Sequence, residues 1–187
     1  MQFGAKELSL HMTKSNSFLK FISVICLLCF FNINLFSQNE KAAEALEWHT
    51  DLMKVHELSA KSKKPIFAFF TGSDWCGWCI KLQNNVFSKP EFIEWAKKNV
   101  ILLELDFPRG KQLSPELTQQ NANMQQAFGV TGYPTVWIFT TNKNNKDKKF
   151  TIDSYGSLGY PAGSEPGKEQ FKFIEDADKI IGSKQKK

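Results

Sequence analysis

The sequence predicts an α/β protein: a central mixed β-sheet flanked by helices, with an N-terminal helical extension. Three observations predict it. Two apolar runs, "PIFAFFTGS" and "VILLELDF", are short and lack polar alternation, as strands buried on both faces do. Segments of helical periodicity stand before, between and after them. A third run, "TVWIFT", is followed by a Lys/Asn-rich turn and "KFTIDSY", a hairpin that adds an antiparallel edge.

Taken in order, apolar residues at helical spacing (Ala42, Ala45, Leu46, then Leu52, Val55, Leu58) predict one or two helices over 38–63, ended by Pro65. The first strand covers about 66–70. Gly72 and Ser73 turn the chain, and a helix starts at or just after Cys76. "SKPEFIEWAKKN" predicts another helix, with Ser88 as its cap and Pro90 and Glu91 in its first turn. The second strand is 100–106. Residues 107–123 form a polar connector running into a helix near 115–128. "GVTGYP" is a turn before the third strand, "NKNNKDKK" a hairpin turn, and 156–167 a Gly/Pro loop. The chain closes with an amphipathic helix carrying Phe171, Ile174, Ala177 and Ile181 on one stripe.

The 187 residues suffice for one domain with a core, and 42% hydrophobic and 23% charged residues place it among globular proteins. The formal charge of +5 is concentrated in lysines at 142–149 and 184–187. These have no interleaved aromatics, and Arg109 is the only arginine, so they read as a solvated turn and tail rather than a nucleic-acid surface.

Residues 21–36 carry no charge, follow Lys14 and Lys20, and precede Ser37. This predicts a secretory signal over 1–37, with Met12 as an alternative start. The run is shorter than the roughly 20 apolar residues of a spanning helix, and an uncleaved anchor is the alternative. The expected location is therefore periplasmic or secreted after cleavage near Ser37, or membrane-anchored if the signal is retained.

Cys26 and Cys29 fall in that segment, which leaves Cys76 and Cys79 to the mature chain. A disulfide between them would close a loop too small to constrain the unfolded chain much, so a structural staple explains them poorly. A closed zinc site wants four ligands, and His49 and His56 read as surface residues. A copper site built on two thiolates stays open. Disulfide exchange needs a thiolate, a neighbouring thiol and access, and a C-x-x-C at a strand-to-helix junction supplies them. Cys76, at the helix start, is expected to attack, and Cys79, one turn deeper, to resolve. The Asp74 carboxylate opposes the thiolate unless it points away.

Strand, "WCGWC", helix and, about 55 residues on, "GYPT" before another strand resemble the thioredoxin superfamily over roughly 60–182. The likeness is greatest to secreted bacterial thioredoxin-like thiol:disulfide interchange proteins. It implies a thioredoxin-like domain over 64–182, an N-terminal extension over 38–63 and a basic tail over 183–187. It implies that Trp75 packs beside the reactive thiol, that Cys76 and Cys79 are the redox pair with Gly77 and Trp78 between them, and that Tyr133 precedes a cis-proline, Pro134. The backbone there would pair with a substrate chain as an added strand. Trp48, Trp95 and Trp137 read as core.

The sequence departs from the family pattern at three points. The 107–123 connector is longer than in a minimal thioredoxin and reads as a tolerated surface insertion, with a wall of a substrate groove as the alternative. Gly-Trp between the cysteines leaves the redox poise open. Phe69 or Phe70 stands where thioredoxins carry a buried acid, which leaves Glu104, Asp106 or water to take the proton of Cys79. The resemblance implies a thiol:disulfide oxidoreductase of the reductase or general interchange type. It would act as a monomer on protein thiols and disulfides outside the cytoplasm, with a membrane electron donor or acceptor and no metal, organic cofactor or nucleic acid. A disulfide oxidase or isomerase using the same residues is one alternative. A copper- or client-binding module without turnover is another.

Overall fold

The structure is a computed structural model that describes residues 46–143 and 150–185. The described residues form one compact unit. Its elements are β1 (Trp48–His49), α1 (Leu52–Ser62), β2 (Ile66–Thr71), α2 (Gly77–Leu82, continued as a π-helical turn Gln83–Phe87), α3 (Pro90–Asn99), β3 (Ile101–Asp106), α4 (Pro115–Phe128), β4 (Thr135–Lys143), β5 (Phe150–Leu158) and α5 (Glu169–Gln185).

The five strands form one mixed sheet in the order β1-β3-β2-β4-β5. β2 is central and every one of its residues is buried. Its odd-numbered Phe67 and Phe69 face a layer made by α2, α3 and α5, with Leu82, Phe87, Phe92, Trp95 and Phe173. Its even-numbered Ile66, Ala68 and Phe70 face α1 and α4, with Val55, Leu103, Leu105 and Met124. The unbroken apolar run is what two covered faces require. Phe67 is the hub of the first layer, with ring centroids 5.8–6.2 Å from Trp48, Phe87, Phe92, Trp95 and Phe173.

Local chemistry sets the helix ends. Asp51 caps α1 by accepting from the backbone N–H of Met53 at 2.7 Å. Ser114 caps α4, with Pro115 in its first turn, and Gly129 ends it at φ +59°, a conformation that suits glycine.

Several expectations are corrected. Trp48 and His49 are not helical. They pair in parallel with Leu102 and Leu103, so the N-terminal segment adds an edge strand before its helix begins. This pairing buries His49, which sequence reasoning placed on the surface. Ser88 does not cap α3; it ends the preceding π-helical turn and donates to the Asn84 carbonyl at 2.8 Å. The stripe of α5 runs through Phe173 and Ala177, both buried, while Phe171 points out, 51% exposed. α5 continues to Gln185, into the segment read as a basic tail. β5 continues to Leu158, so the Gly/Pro loop begins at 159. The expected signal segment, the start of the N-terminal extension and most of the hairpin turn lie outside the described residues.

The register of the sheet fixes where the loops meet. β2 and β3 run parallel with Thr71 opposite Asp106, so the segments that follow them leave side by side. β4 is antiparallel to β2, with Thr135 opposite Phe70, and β5 is antiparallel to β4, with Leu158 opposite Val136. Residues 72–76, 107–114, 129–134 and 159–168 therefore gather at one end of the sheet. Because Phe67 ties together three helices and the sheet, Phe67→Ala is expected to lower unfolding free energy by about 3–5 kcal/mol. Denaturant melts measure this, and a loss under about 1 kcal/mol would contradict the assigned core.

Candidate functional site

Gly72 to Cys76 turns the chain from β2 into α2. The Gly72 carbonyl accepts from the backbone N–H groups of Trp75 and Cys76 at 3.2 and 2.8 Å. Gly72 has to be glycine, because an added Cβ would lie 2.4 Å from the Trp75 ring. Cys76 is extended and takes the N-cap position of α2, and its Sγ accepts from the Cys79 N–H at 3.2 Å. The sulfur thus lies where the unpaired N–H groups of the helix favour negative charge. Cys76 and Cys79 are joined as a disulfide, with Cα atoms 5.2 Å apart. Cys76 keeps 6% of its surface and Cys79 none.

The other expected site residues lie on or beside the turns at this end of the sheet. Gly77 opens α2, and a Cβ added there would meet no atom within 4 Å. Trp75 and Trp78 are 37% and 57% exposed. Trp75 meets Tyr133 edge-on at 5.8 Å, and Tyr133 lies 5.2 Å from Phe107. The Tyr133 hydroxyl accepts from Gln125 at 2.8 Å; burial raises its pKa, and that bond partly offsets the rise. The Tyr133–Pro134 peptide is cis. Gly159, at the start of the last loop, faces the Pro134 carbonyl. Trp78 instead leans on Tyr160, with centroids 5.1 Å apart.

The connector after β3 is part of the site, which corrects its reading as a tolerated insertion. The Phe107 N–H pairs with the Thr71 carbonyl at 2.8 Å, continuing the β2–β3 register. Its own carbonyl accepts from the Trp75 indole N–H at 2.8 Å. Asp74 points away from the disulfide. Its carboxylate accepts from the backbone N–H groups of Arg109, at 3.1 Å, and Gly110, at 2.6 Å. These bonds, first from Gly110 and then from Arg109, hold the Asp74 carboxyl below its ordinary pKa of 3.8. The Arg109 guanidinium then lies over the Trp75 ring, 3.8 Å from its centroid.

Of the two carboxylates considered as proton acceptors, Asp106 is already occupied. It accepts from the Ser73 N–H at 2.9 Å, the Ser73 hydroxyl at 2.7 Å and Lys111 at 2.9 Å. Burial raises its pKa, but the bonds from Ser73 and Lys111 outweigh burial and lower it. Glu104 stands opposite Phe69 in the sheet, and burial, then the Asp106 charge, raises its pKa. Phe69 and Phe70 are both buried, so the family's acid position is apolar. His49 lies 3.6 Å from Glu47, and His56 lies 2.7 Å from the Thr141 hydroxyl. No group of three or more His, Cys, Asp and Glu suited to a metal ion forms among the described residues.

Sequence reasoning missed Arg109, Gly110, Phe107, Lys81 and Tyr160. "FPRGK" reads as a loop, and nothing in it says that a carboxylate 35 residues upstream accepts from its backbone.

Known proteins agree with this geometry. The thioredoxin-like domain family matches residues 53–146. The chain is 38% identical over 134 residues to the disulfide bond reductase DsbH of Chlamydia pneumoniae, covering 72% of each protein. It is 24% identical over 139 residues to the thioredoxin-related protein DsbJ of the same organism, covering 74% of this chain but 38% of that one. The solved structure of a DsbH oxidoreductase superposes with a TM-score of 0.62 at 26% identity, covering 78% of this chain and 92% of that one.

Asp74→Ala removes the acceptor that clasps the connector. Faster amide exchange at Arg109 and Gly110 and a shifted Trp75 indole resonance are the expected outcomes. Because the folded pKa is lowered, the clasp in the parent protein holds above the ordinary 3.8 and is lost only as pH falls through the lower value. Unchanged exchange in the variant would show that the connector is held by other means.

Proposed function

We propose that this chain, which belongs to the thioredoxin-like family and is a thiol:disulfide oxidoreductase, works in the reductive direction on protein disulfides. The observation that carries the reading is the placement of Cys76. Its sulfur caps a helix, is bonded to Cys79, and is the outer of the two. A thiolate there is stabilised by the helix N–H groups, which lowers the thiol pKa below about 8.5. Reduction as the direction is supported by the likeness to a protein named as a disulfide bond reductase.

The steps follow from that placement. In the reduced pair, the Cys76 thiolate attacks one sulfur of a substrate disulfide. A Cys76–substrate bond forms, and the other substrate sulfur leaves as a thiolate and takes a proton. Cys79 gives up its proton and attacks the Cys76 Sγ. This re-forms the Cys76–Cys79 bond and releases the second substrate thiolate. The substrate gains two electrons and the pair loses two, so a dithiol donor has to recharge it. Opposition from the Asp74 carboxylate to the first step is reduced by its hydrogen bonds to the Arg109 and Gly110 amides and by the Lys111 charge. Trp75, Gly77, Trp78, Tyr133 and Pro134 shape the surface a substrate meets, and the backbone before Pro134 offers an edge for an added strand. Of the two carboxyls, Glu104, half-buried and without the hydrogen bonds that occupy Asp106, is the freer to exchange the proton of Cys79.

The compartment, a secreted or periplasmic one, rests on the uncharged run 21–36 and its flanking residues. Reductive work there calls for a membrane-borne electron donor, and the protein acts as a monomer. The redox domain covers 64–182, to which 46–63 adds an edge strand of the sheet and a helix packed on its face.

The test is reduction of insulin-like disulfides by the reduced protein, together with trapping. Cys79→Ser is expected to accumulate a Cys76–substrate disulfide, and Cys76→Ser to abolish both trapping and turnover. Trapping through Cys79 in the Cys76→Ser protein would reverse the assigned roles.

A further inference from the structure

Each of the two tryptophans bordering the disulfide carries a cation. The Arg109 guanidinium lies 3.8 Å from the centroid of the Trp75 ring. The Lys81 ammonium lies 4.8 Å from that of Trp78 and 5.2 Å from that of Tyr160. Neither cation has a carboxylate within ion-pair distance among the described residues, whereas Lys111 is paired with Asp106 and Lys168 with Glu165.

The carboxylates of the region are directed elsewhere. Asp74 accepts from backbone N–H groups. Asp106 accepts from Ser73 and Lys111. Glu169 accepts from the Tyr160 hydroxyl at 3.3 Å and the Asn85 amide at 3.4 Å, and feels Lys81 only as a more distant charge. The formal charges of the region nearly balance, but their hydrogen bonding does not: the carboxylates are taken and the two cations are not. Stacking on a ring fixes a long side chain without using its N–H donors, so both remain available to an acceptor.

From this we infer that the rim of the disulfide is a docking surface for an acidic stretch of the partner polypeptide, beside its reactive cysteine. Arg109 and Lys81 are its anchors and determine substrate preference. The inference rests on the reading of the chain as an enzyme of protein disulfides. A free acidic metabolite would satisfy the cations, but would bring no sulfur to the bond between them.

The test uses disulfide-linked peptides that differ only in the residues flanking cysteine, which are Glu, Gln or Lys. The reduced protein is expected to turn them over in the order Glu, Gln, Lys, with about a three- to tenfold span in kcat/KM at low ionic strength. The span should shrink once the screening length falls to about 8 Å or less. It should flatten in the Arg109→Gln, Lys81→Gln double variant. Because the readout is a ratio between peptides, a general loss of activity in the variant cancels.

Affinities of the same peptides with Ser in place of Cys, titrated against the oxidised protein, give the order without turnover. Equal treatment of all three peptides, or a span unchanged in the double variant, overturns the docking inference and leaves the enzymatic reading standing. Absence of turnover with every peptide overturns the enzymatic reading instead, while the titrations still decide the docking.

Discussion

Thr71 opposite Asp106, the last parallel pair between β2 and β3, is the constraint from which the site follows. Parallel neighbours in register release their loops from the same end of the sheet. The turn that carries Trp75 and Cys76 therefore leaves beside the connector that carries Phe107 and Arg109. The first hydrogen bond beyond the strands, Phe107 N–H to the Thr71 carbonyl, continues the ladder by one step. Antiparallel β4 and β5 bring the Pro134 turn and the loop after Leu158 to the same end. Open α/β sheets place ligands outside the carboxyl ends of their parallel strands for this reason.

Within that frame the disulfide divides its surroundings by depth. Cys79 belongs to the layer of Phe69, Leu82 and Phe87, with no exposed surface. Cys76, in the same layer, lies one helical turn outward and keeps a little exposed surface, and there the cap position adds a backbone N–H to its apolar contacts. The exposed rim is aromatic, and the aromatics hold cations. Asp74 sits two residues from the reactive sulfur, and its carboxylate is hydrogen-bonded by the connector amides.

The fold was legible because β2 and β3 are largely buried on both faces and so carry few polar residues, which are Thr71 at the end of β2 and Glu104 and Asp106 near the end of β3. α4 was legible because Ser114, Pro115 and Gly129 punctuate it by local chemistry. β1 was not: two residues carry no periodicity, and their strand character comes from Leu102 and Leu103, more than 50 positions away. In the stripe of α5, Ile174, Ala177 and Ile181 were legible and only Phe171 was misplaced, because Phe171 and Phe173 are alike in type and only packing against the sheet selects Phe173. The cysteines, Trp75, Tyr133 and Pro134 were legible as a motif, and the structure brings them together. The connector was not, because Asp74 reaches it through backbone N–H groups, which any residue type supplies.

The central claim is that Cys76 and Cys79 form a reversible couple poised to reduce. The most direct measurement is the reduction potential of the pair, read from tryptophan fluorescence in glutathione or dithiothreitol buffers. A value near thioredoxin's, about −270 mV, is the result predicted. A value near that of a strong disulfide donor, about −120 mV, would contradict the reductive direction. Absence of any reversible couple would contradict the redox account altogether.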